Sequence, residues 1–533
     1  MKTLLIGINA KYIHPATGVH QIYANSKHPV SFREFTIKDD NEYILSVIKN
    51  EKFSLLGFSV YIWNAEKVKE LLQALPVEQN VVLGGPEASY RPDDFFRHRN
   101  VKYIVKDEGE EAFNQLIEHL SGKRDIKTVS NLYYREGEGY RYTFSRKPNI
   151  NAIKHDLSLI GDFNNRYAYL ESSRGCCFRC SYCLASLDKT IRYFPLEKVK
   201  DEIKYLLAKE TRTIKFLDRT FNVDQKRMRE ILRFIAANDN NRTVYQFEIN
   251  GDYFEDETIA LIQTLRKGLV RFEIGIQTTN EITSRSILRK QNFELIKKNI
   301  AAIKNNVTIH VDLIAGLPHE DYRGFVRSFN ETYELGADEI QLGILKELKG
   351  TLISATKDEH GYVFSDKPPY RVIKNNYLSE DELAEFSAVE TIVNKYHNSG
   401  YFKRTLAYLF KERKLNPYET FLKISRFLNG KNINSYQPWQ VAQILYLSLK
   451  EEKDEELLYA IKQDYLTAHK IRPKIWWDSD IGKREKAEAF RKFIDKYPKL
   501  NLDLLYRYSR IERLRNQYFL VVYKPFAQYF LDI

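Results

Sequence analysis

Alternation of short apolar runs with helical periodicity most narrows what this chain can fold into. In the first 150 residues, apolar runs at 2–8, 30–37, 55–60, 81–83 and 103–105 read as buried strands. Between the later ones lie stretches with one apolar helical face: 41–49 (Tyr43, Ile44, Val47, Ile48), 65–75 and 110–120. Such alternation predicts a parallel sheet with helices on both faces, a doubly wound, Rossmann-like domain. The segment between the first two strands is short for a full crossover helix. Residues 131–144 alternate polar and apolar around Gly137 and Gly139, the pattern of a hairpin.

After an irregular polar linker at 147–166, the alternation resumes. Strands are expected at 167–171, 214–217, 244–249, 272–276, 309–314 and 340–344, with helices at 196–210, 225–237, 256–267, 293–304 and 322–335. Six consecutive strand–helix units predict a partial (β/α)6 barrel, whose chemistry sits at the C-terminal ends of its strands. The remainder is mostly helical: 384–396, 401–409, 418–428, 441–449 and 456–466, with Ser379-Glu380-Asp381-Glu382 as a capped start. Trp476-Trp477 reads as a packing anchor, 504–519 as a helix and 521–523 as a short terminal strand. The expected domains are therefore 1–146, a linker at 147–166, 167–370 and 371–533.

All four cysteines fall in Arg174-Gly175-Cys176-Cys177-Phe178-Arg179-Cys180-Ser181-Tyr182-Cys183, where the first barrel strand stops. Clustered thiols suit zinc or an iron–sulfur cluster better than a disulfide in a reducing compartment. Zinc would need all four thiolates, and the adjacent Cys176 and Cys177 can hardly both reach one tetrahedral ion. A ferredoxin-type run starting at Cys177 fails because Leu187 stands in its fourth position. What remains is Cys176-x3-Cys180-x2-Cys183 with Cys177 spare: three thiolates on a four-iron cluster, leaving one iron open.

That arrangement resembles the radical S-adenosylmethionine enzymes. The resemblance implies that Cys176, Cys180 and Cys183 hold a [4Fe-4S] cluster. The amino and carboxylate groups of S-adenosylmethionine would chelate its open iron, and one electron would cleave the sulfonium to give a 5′-deoxyadenosyl radical. It further implies that Tyr182 lies near the adenine and that Asp218, in Lys215-Phe216-Leu217-Asp218-Arg219-Thr220-Phe221-Asn222, lies beside the amino group. Gln277, at the end of Glu273-Ile274-Gly275-Ile276-Gln277, takes the place of a ribose-contacting Glu, with Glu273 in the same segment. Glu248 and Asp312 end or line strands facing the cavity, and Gly316-Leu317-Pro318 is similar to the family's strand-5 turn.

Ser59-Val60-Tyr61, Gly84-Gly85-Pro86-Glu87 and Asp107-Glu108-Gly109-Glu110 fall at strand ends of the first domain, where ligands of such sheets sit. Together they resemble the cobalamin-binding domain of B12-dependent enzymes. This implies that Ser59, Gly84, Gly85 and Glu108 accommodate the cofactor. The family's Asp-x-His-x-x-Gly is replaced by Tyr12-Ile13-His14-Pro15-Ala16-Thr17-Gly18, so His14 reads as a structural histidine rather than a cobalt ligand. The whole chain resembles the subgroup of cobalamin-domain radical S-adenosylmethionine proteins with a C-terminal domain of unknown function. A cobalamin-dependent enzyme, methylating an unidentified substrate or running another radical step, is the expectation. A flavodoxin or ferredoxin would be its reductant.

Two other readings are open. The first domain can be a degenerate, cofactor-free scaffold. Alternatively, the chain is an RNA-binding protein with a structural or sensory cluster. Its net charge of +12, with 16 Lys+Arg against 9 Asp+Glu in residues 461–533, permits nucleic acid. No cysteine lies outside the loop, which excludes enzymes needing a second cluster. No run approaches the ~20 apolar residues of a membrane span. The cytoplasm is the expected compartment.

Overall fold

The computed structural model describes all of the chain except residues 51, 452–453, 479–480, 498–500, 515–516, 524–528 and 533. It divides into two compact units, one of residues 1–310, 316–321 and 344–379, the other of 311–315, 322–343 and 380–533.

The first unit opens with a seven-stranded sheet of β1 (Thr3–Asn9), β2 (Val30–Thr36), β3 (Leu55–Ser59), β4 (Val81–Gly84), β5 (Val101–Val105), β6 (Leu132–Glu136) and β7 (Gly139–Tyr142). Their order is β2-β1-β3-β4-β5-β6-β7. Every residue of β1 is buried, and it pairs in parallel with both neighbours, Thr3 opposite Val30 and Leu55. Successive side chains of a strand point to opposite faces. Leu4, Ile6 and Ile8 therefore enter one core with Val68 and Leu71 of the helix Ala65–Ala74, while Leu5 enters another with Phe113 and Leu116 of Glu110–Leu120. This is the doubly wound arrangement the alternation predicts. The expected hairpin, β6 and β7, extends the sheet antiparallel to β5.

The expectation about the first crossover needs correcting: a helix, Thr17–Asn25, does form between β1 and β2. Its N-cap, Ala16, offers no capping side chain, and the Ala16 N–H donates to the Glu34 carboxylate on β2 at 2.5 Å. A partner supplied from the next strand leaves no local signature.

Glu34 also accepts two hydrogen bonds from the Arg166 guanidinium, at 2.7 and 3.0 Å, and lies 3.4 Å from His20 Nε2. Burial alone would raise its pKa, but His20, Arg166 and the Ala16 N–H outweigh it and hold the carboxyl well below the usual range. A depressed carboxyl contributes stability that is complete above the unfolded value, about 4.3, and lost as pH falls toward the folded one. Denaturant midpoints measured against pH should therefore fall on the acid side below about pH 5. Glu34→Gln should flatten that limb and leave the neutral-pH slope unaltered.

The second sheet consists of β8 (Ala168–Leu170), β9 (Thr213–Phe216), β10 (Val244–Ile249), β11 (Val270–Gln277), β12 (Thr308–Ala315) and β13 (Glu339–Ile344), in chain order. β8 to β11 pair in parallel. The intervening helices Leu196–Ala208, Gln225–Ala237, Asp256–Gln263, Phe293–Ile303 and Tyr322–Glu334 complete the strand–helix units of a partial (β/α)6 barrel. Asp224 and Asn292 cap two of them by accepting from the Arg227 and Leu295 N–H groups.

In the second unit, helices Glu380–Val393, Pro417–Leu428, Pro438–Leu449 and Glu455–Ala468 follow the expected segments closely. Lys483–Lys496 is an additional helix whose buried residues are only Ala489, Phe490 and Phe493, a stripe too narrow to stand out among its charges. The expected helix at 504–519 is also corrected. A helix covers Leu502–Tyr508, and Ser509–Leu514 then pairs antiparallel with Gln517–Val522; residues 515–516 lie outside the described residues. Ile511, Phe519, Val521 and Val522 suit a pleated surface, and all four are buried. Trp477 is an anchor as expected: its indole N–H donates to the buried Glu512 at 3.0 Å, which also pairs with Lys462 at 3.2 Å. Among the described residues no helix is long and apolar enough to cross a membrane.

Candidate functional site

The barrel strands carry two distinct faces. Tyr245, Phe247, Ile249, Phe272, Ile274 and Ile276 are buried, while the alternate positions Gln246, Glu248, Arg271 and Glu273 are polar and half-buried. Glu248 and Glu273 stand directly opposite each other in the ladder, and the Gln246 amide donates to Glu273 at 2.7 Å. Arg271 contacts His310 Nδ1 at 2.7 Å. A barrel filled by apolar layers would bury both faces; this one keeps a polar lining.

The cysteine loop leaves the C-terminal end of β8. Gly175 adopts φ +93°, a backbone only glycine takes without strain, and the Cys176 N–H donates to the Asp188 carbonyl at 2.9 Å. Cys176 and Cys180 are buried, Cys183 is half-buried and Cys177 is exposed. Burial pushes the Cys183 thiol up, and the nearby Cys180 and Cys176 add to it. Cys176 Sγ lies 3.9 Å from Thr220 Oγ1, and Arg289 Nη1 donates to Cys180 Sγ at 3.8 Å. The Ser181 N–H donates to the Ile287 carbonyl at 2.9 Å, tying the loop to the end of the helix Glu281–Ser286.

The residues expected around S-adenosylmethionine fall in two groups. Tyr182, Glu248, Glu273 and Gln277 lie by the loop or along the polar face. Arg289 Nη1 donates to the Tyr182 hydroxyl at 3.5 Å, and Arg289 also contacts the Gly275 carbonyl. Gln277, at the end of β11, has φ +66° and is 9% exposed; its Oε1 is buried without a hydrogen-bond partner. Asp218 is tied to the start of the loop. It is 1% exposed and accepts from the Ser172 N–H (2.9 Å), the Ser172 hydroxyl (2.6 Å) and the Ser173 hydroxyl (2.5 Å). Asp312 is half-buried on β12.

Ser59, Gly84 and Gly85 meet at the C-terminal edge of the first sheet. Gly85 has φ +97°, and a Cβ there would stand 2.5 Å from the Val60 carbonyl, so this glycine lets β4 turn against the end of β3. Above Gly84 the space is open: a Cβ would meet only the Val105 carbonyl, at 3.9 Å. His14 donates to or accepts from the Tyr169 hydroxyl at 2.6 Å and stacks on that ring, as a structural histidine does. Burial lowers its pKa, with Lys215 and Lys11 adding to the effect. Glu108 is engaged by protein: it pairs with Arg174 at 2.8 Å and with Arg192.

Arg289, Thr220 and the Ser172–Ser173 pair carried no signal in the sequence, because each works through a partner far along the chain, and two of the three carboxylates that hold Arg174 are equally distant. Arg174 binds Glu108, Glu110 and Glu171, each at 2.8 Å. Burial opposes its charge, but Glu171 and Glu110 outweigh it and hold the guanidinium more firmly protonated.

The donor set suits the implied groups. Three thiols at the required spacing match a cluster with one open iron, the orphaned Gln277 carbonyl offers a buried acceptor beside the polar lining, and the open backbone over Gly84 admits a flat ligand.

Comparison with known proteins gives three matches in succession: the B12 binding domain over residues 4–117, the radical SAM superfamily over 170–331, and a protein of unknown function (DUF4080) over 358–519. A 2-(S-pantetheinyl)-carbapenam-3-carboxylate methyltransferase of Streptantibioticus cattleyicolor is 24% identical over 520 residues, spanning 84% of this chain and 72% of the relative. The cobalamin-dependent radical SAM methyltransferase TokK of Streptomyces tokunonensis is 24% identical over 64% of this chain and 55% of its own length. Among solved structures, OxsB with aqua-cobalamin and S-adenosylmethionine bound superposes with a TM-score of 0.62 at 13% identity, over 94% of this chain and 81% of that one. TsrM from Kitasatospora setae with cobalamin and a [4Fe-4S] cluster gives 0.56 at 16% identity, over 72% and 81%. At these identities the superpositions establish a shared fold.

Proposed function

We propose, for a chain that belongs to the cobalamin-domain radical S-adenosylmethionine proteins with a DUF4080 C-terminal domain, that it is a cobalamin-dependent enzyme transferring a methyl group to a substrate not yet identified. One observation carries this reading: the three spaced thiols lie where β8 ends, in the same compact unit as the sheet edge formed by Ser59, Gly84 and Gly85. The methyltransferase relatives support methyl transfer over other radical chemistry.

When bound, the cluster and S-adenosylmethionine supply one-electron cleavage of a sulfonium, and cobalamin supplies a methyl carrier. The chain's own residues bind, orient and shield. Cys176, Cys180 and Cys183 are the cluster ligands, and the exposed Cys177 stays outside the set. Arg289 holds the Gly275 carbonyl and Tyr182 together, which fixes the loop against the end of β11. The Gln277 Oε1 accepts from a bound hydroxyl or ammonium, and Glu248 and Glu273 line the same polar face. Asp218 fixes the start of the loop through Ser172 and Ser173. A thiolate site of this kind needs a reducing compartment such as the cytoplasm and a low-potential donor of the flavodoxin or ferredoxin class.

Anaerobic reconstitution with iron, sulfide and hydroxocobalamin tests the proposal. The desalted protein should keep a corrinoid visible spectrum, and adding reductant with S-adenosylmethionine should release 5′-deoxyadenosine or S-adenosylhomocysteine. A folded, iron-loaded protein that retains no corrinoid would sink the cobalamin-dependent reading, and one that leaves S-adenosylmethionine intact would sink the radical one.

A further inference from the structure

The two ends of the cysteine loop are brought together as a short antiparallel pair, Ser173–Arg174 with Arg192–Tyr193, in which Arg174 stands directly opposite Arg192. Like charges facing each other across a ladder destabilise it. Among the described residues Glu108 is the one carboxylate that touches both: Oε2 accepts from Arg174 Nη1 at 2.8 Å, and Oε1 pairs with Arg192 Nη2. Arg174 is otherwise held by Glu110 and Glu171, and Arg192 has Asp188 at 3.4 Å. Asp188 in turn offers its carbonyl to the Cys176 N–H and its carboxylate to Lys147.

Glu108 does not belong to the barrel. It follows β5 of the first sheet, at the edge where a ligand of that sheet lies, and its backbone is set firmly. Asp107 before it adopts φ +59° and accepts from the Tyr90 hydroxyl at 2.9 Å. The Glu108 carbonyl accepts from the Asn131 amide at 3.2 Å. A carboxylate pre-set in this way, 12% and 16% exposure remaining to its two arginine side chains, is a rigid fork rather than a surface ion pair.

We propose that Glu108 is a positioning residue for the cluster: from the first sheet it joins both flanks of the cysteine loop, so that the shape of the three-thiol site depends on the β5 end of the corrin-binding domain. This rests on the reading of Cys176, Cys180 and Cys183 as cluster ligands. It differs from the expectation that Glu108 contacts cobalamin.

The test uses the full chain with Glu108→Gln, which keeps the side chain's size and removes its charge. In the apoprotein, hydrogen exchange of the peptide containing Gly175 and Cys176 should speed up relative to wild type. In the reconstituted protein, loss of the cluster to an iron chelator should accelerate by about 10–100-fold, the range for partners that orient metal ligands. The hydroxocobalamin affinity, read from its visible spectrum, should match wild type. Arg192→Gln, which breaks only one arm of the fork and leaves the Arg174–Glu108 pair, should give the same effects more weakly, and the double variant should fall short of the sum of the two singles, because both changes remove the Glu108–Arg192 contact. Unchanged exchange and chelator resistance, or a loss of corrinoid affinity with an unaltered cluster, would overturn the proposal. A wild-type protein that takes up no iron would instead remove the cluster reading, while the exchange data would still report on the tether.

Discussion

Alanine at Cys176, Cys180 or Cys183 is expected to reduce bound iron to background and abolish reductive cleavage of S-adenosylmethionine, whereas Cys177→Ala should keep both. A cluster held by three thiolates has no spare ligand, so each loss leaves a second iron uncoordinated by protein. The fourth thiol cannot substitute. Cys177 is exposed to solvent, whereas Cys176 and Cys180 are buried and Cys183 is half-buried. Iron and sulfide counts with electron paramagnetic resonance of the reduced protein check this. If Cys177→Ala empties the site as fully as Cys176→Ala, the ligand set is wrong.

Asp218→Ala should be the most damaging change away from the cysteines. It leaves three buried donors, the Ser172 N–H and the Ser172 and Ser173 hydroxyls, without their acceptor. At about 1–3 kcal/mol for each orphaned buried group, a loss of about 3–5 kcal/mol follows after partial relaxation. It should appear as a lowered urea midpoint. Asp218→Asn, which keeps one acceptor oxygen, should cost less. These serines sit between β8 and Gly175, so cluster uptake should fall in step with stability. A variant with the wild-type urea midpoint but weakened S-adenosylmethionine binding would return Asp218 to the role of a direct cofactor contact.

Much of the architecture was legible because it depends on local periodicity. The strand β10 and the helix Gln225–Ala237 fall at their expected limits, since alternation in one and a broad apolar face in the other persist through the element. Features that depend on distant partners were not legible. The helix Thr17–Asn25 rests on Glu34, and the terminal strand Ser509–Leu514 acquires its character from Gln517–Val522. Its Arg and Glu residues imitate an exposed helix when read alone. The site divides along the same line. Cysteine spacing is a local quantity and pointed to the loop. The role of Arg289 needs the Gly275 carbonyl, and that of Glu108 needs two arginines 66 and 84 residues away.

The unequal exposure of the four thiols makes the loop its own gauge of assembly. With the cluster in place, a soluble alkylating reagent has one sulfur to find, Cys177. On the proposed ligand set, loss of the cluster frees Cys176, Cys180 and Cys183 for slower labelling. Because the chain holds no other cysteine, the mass of the alkylated protein counts empty and filled sites directly in a mixed sample, without a substrate or an activity assay.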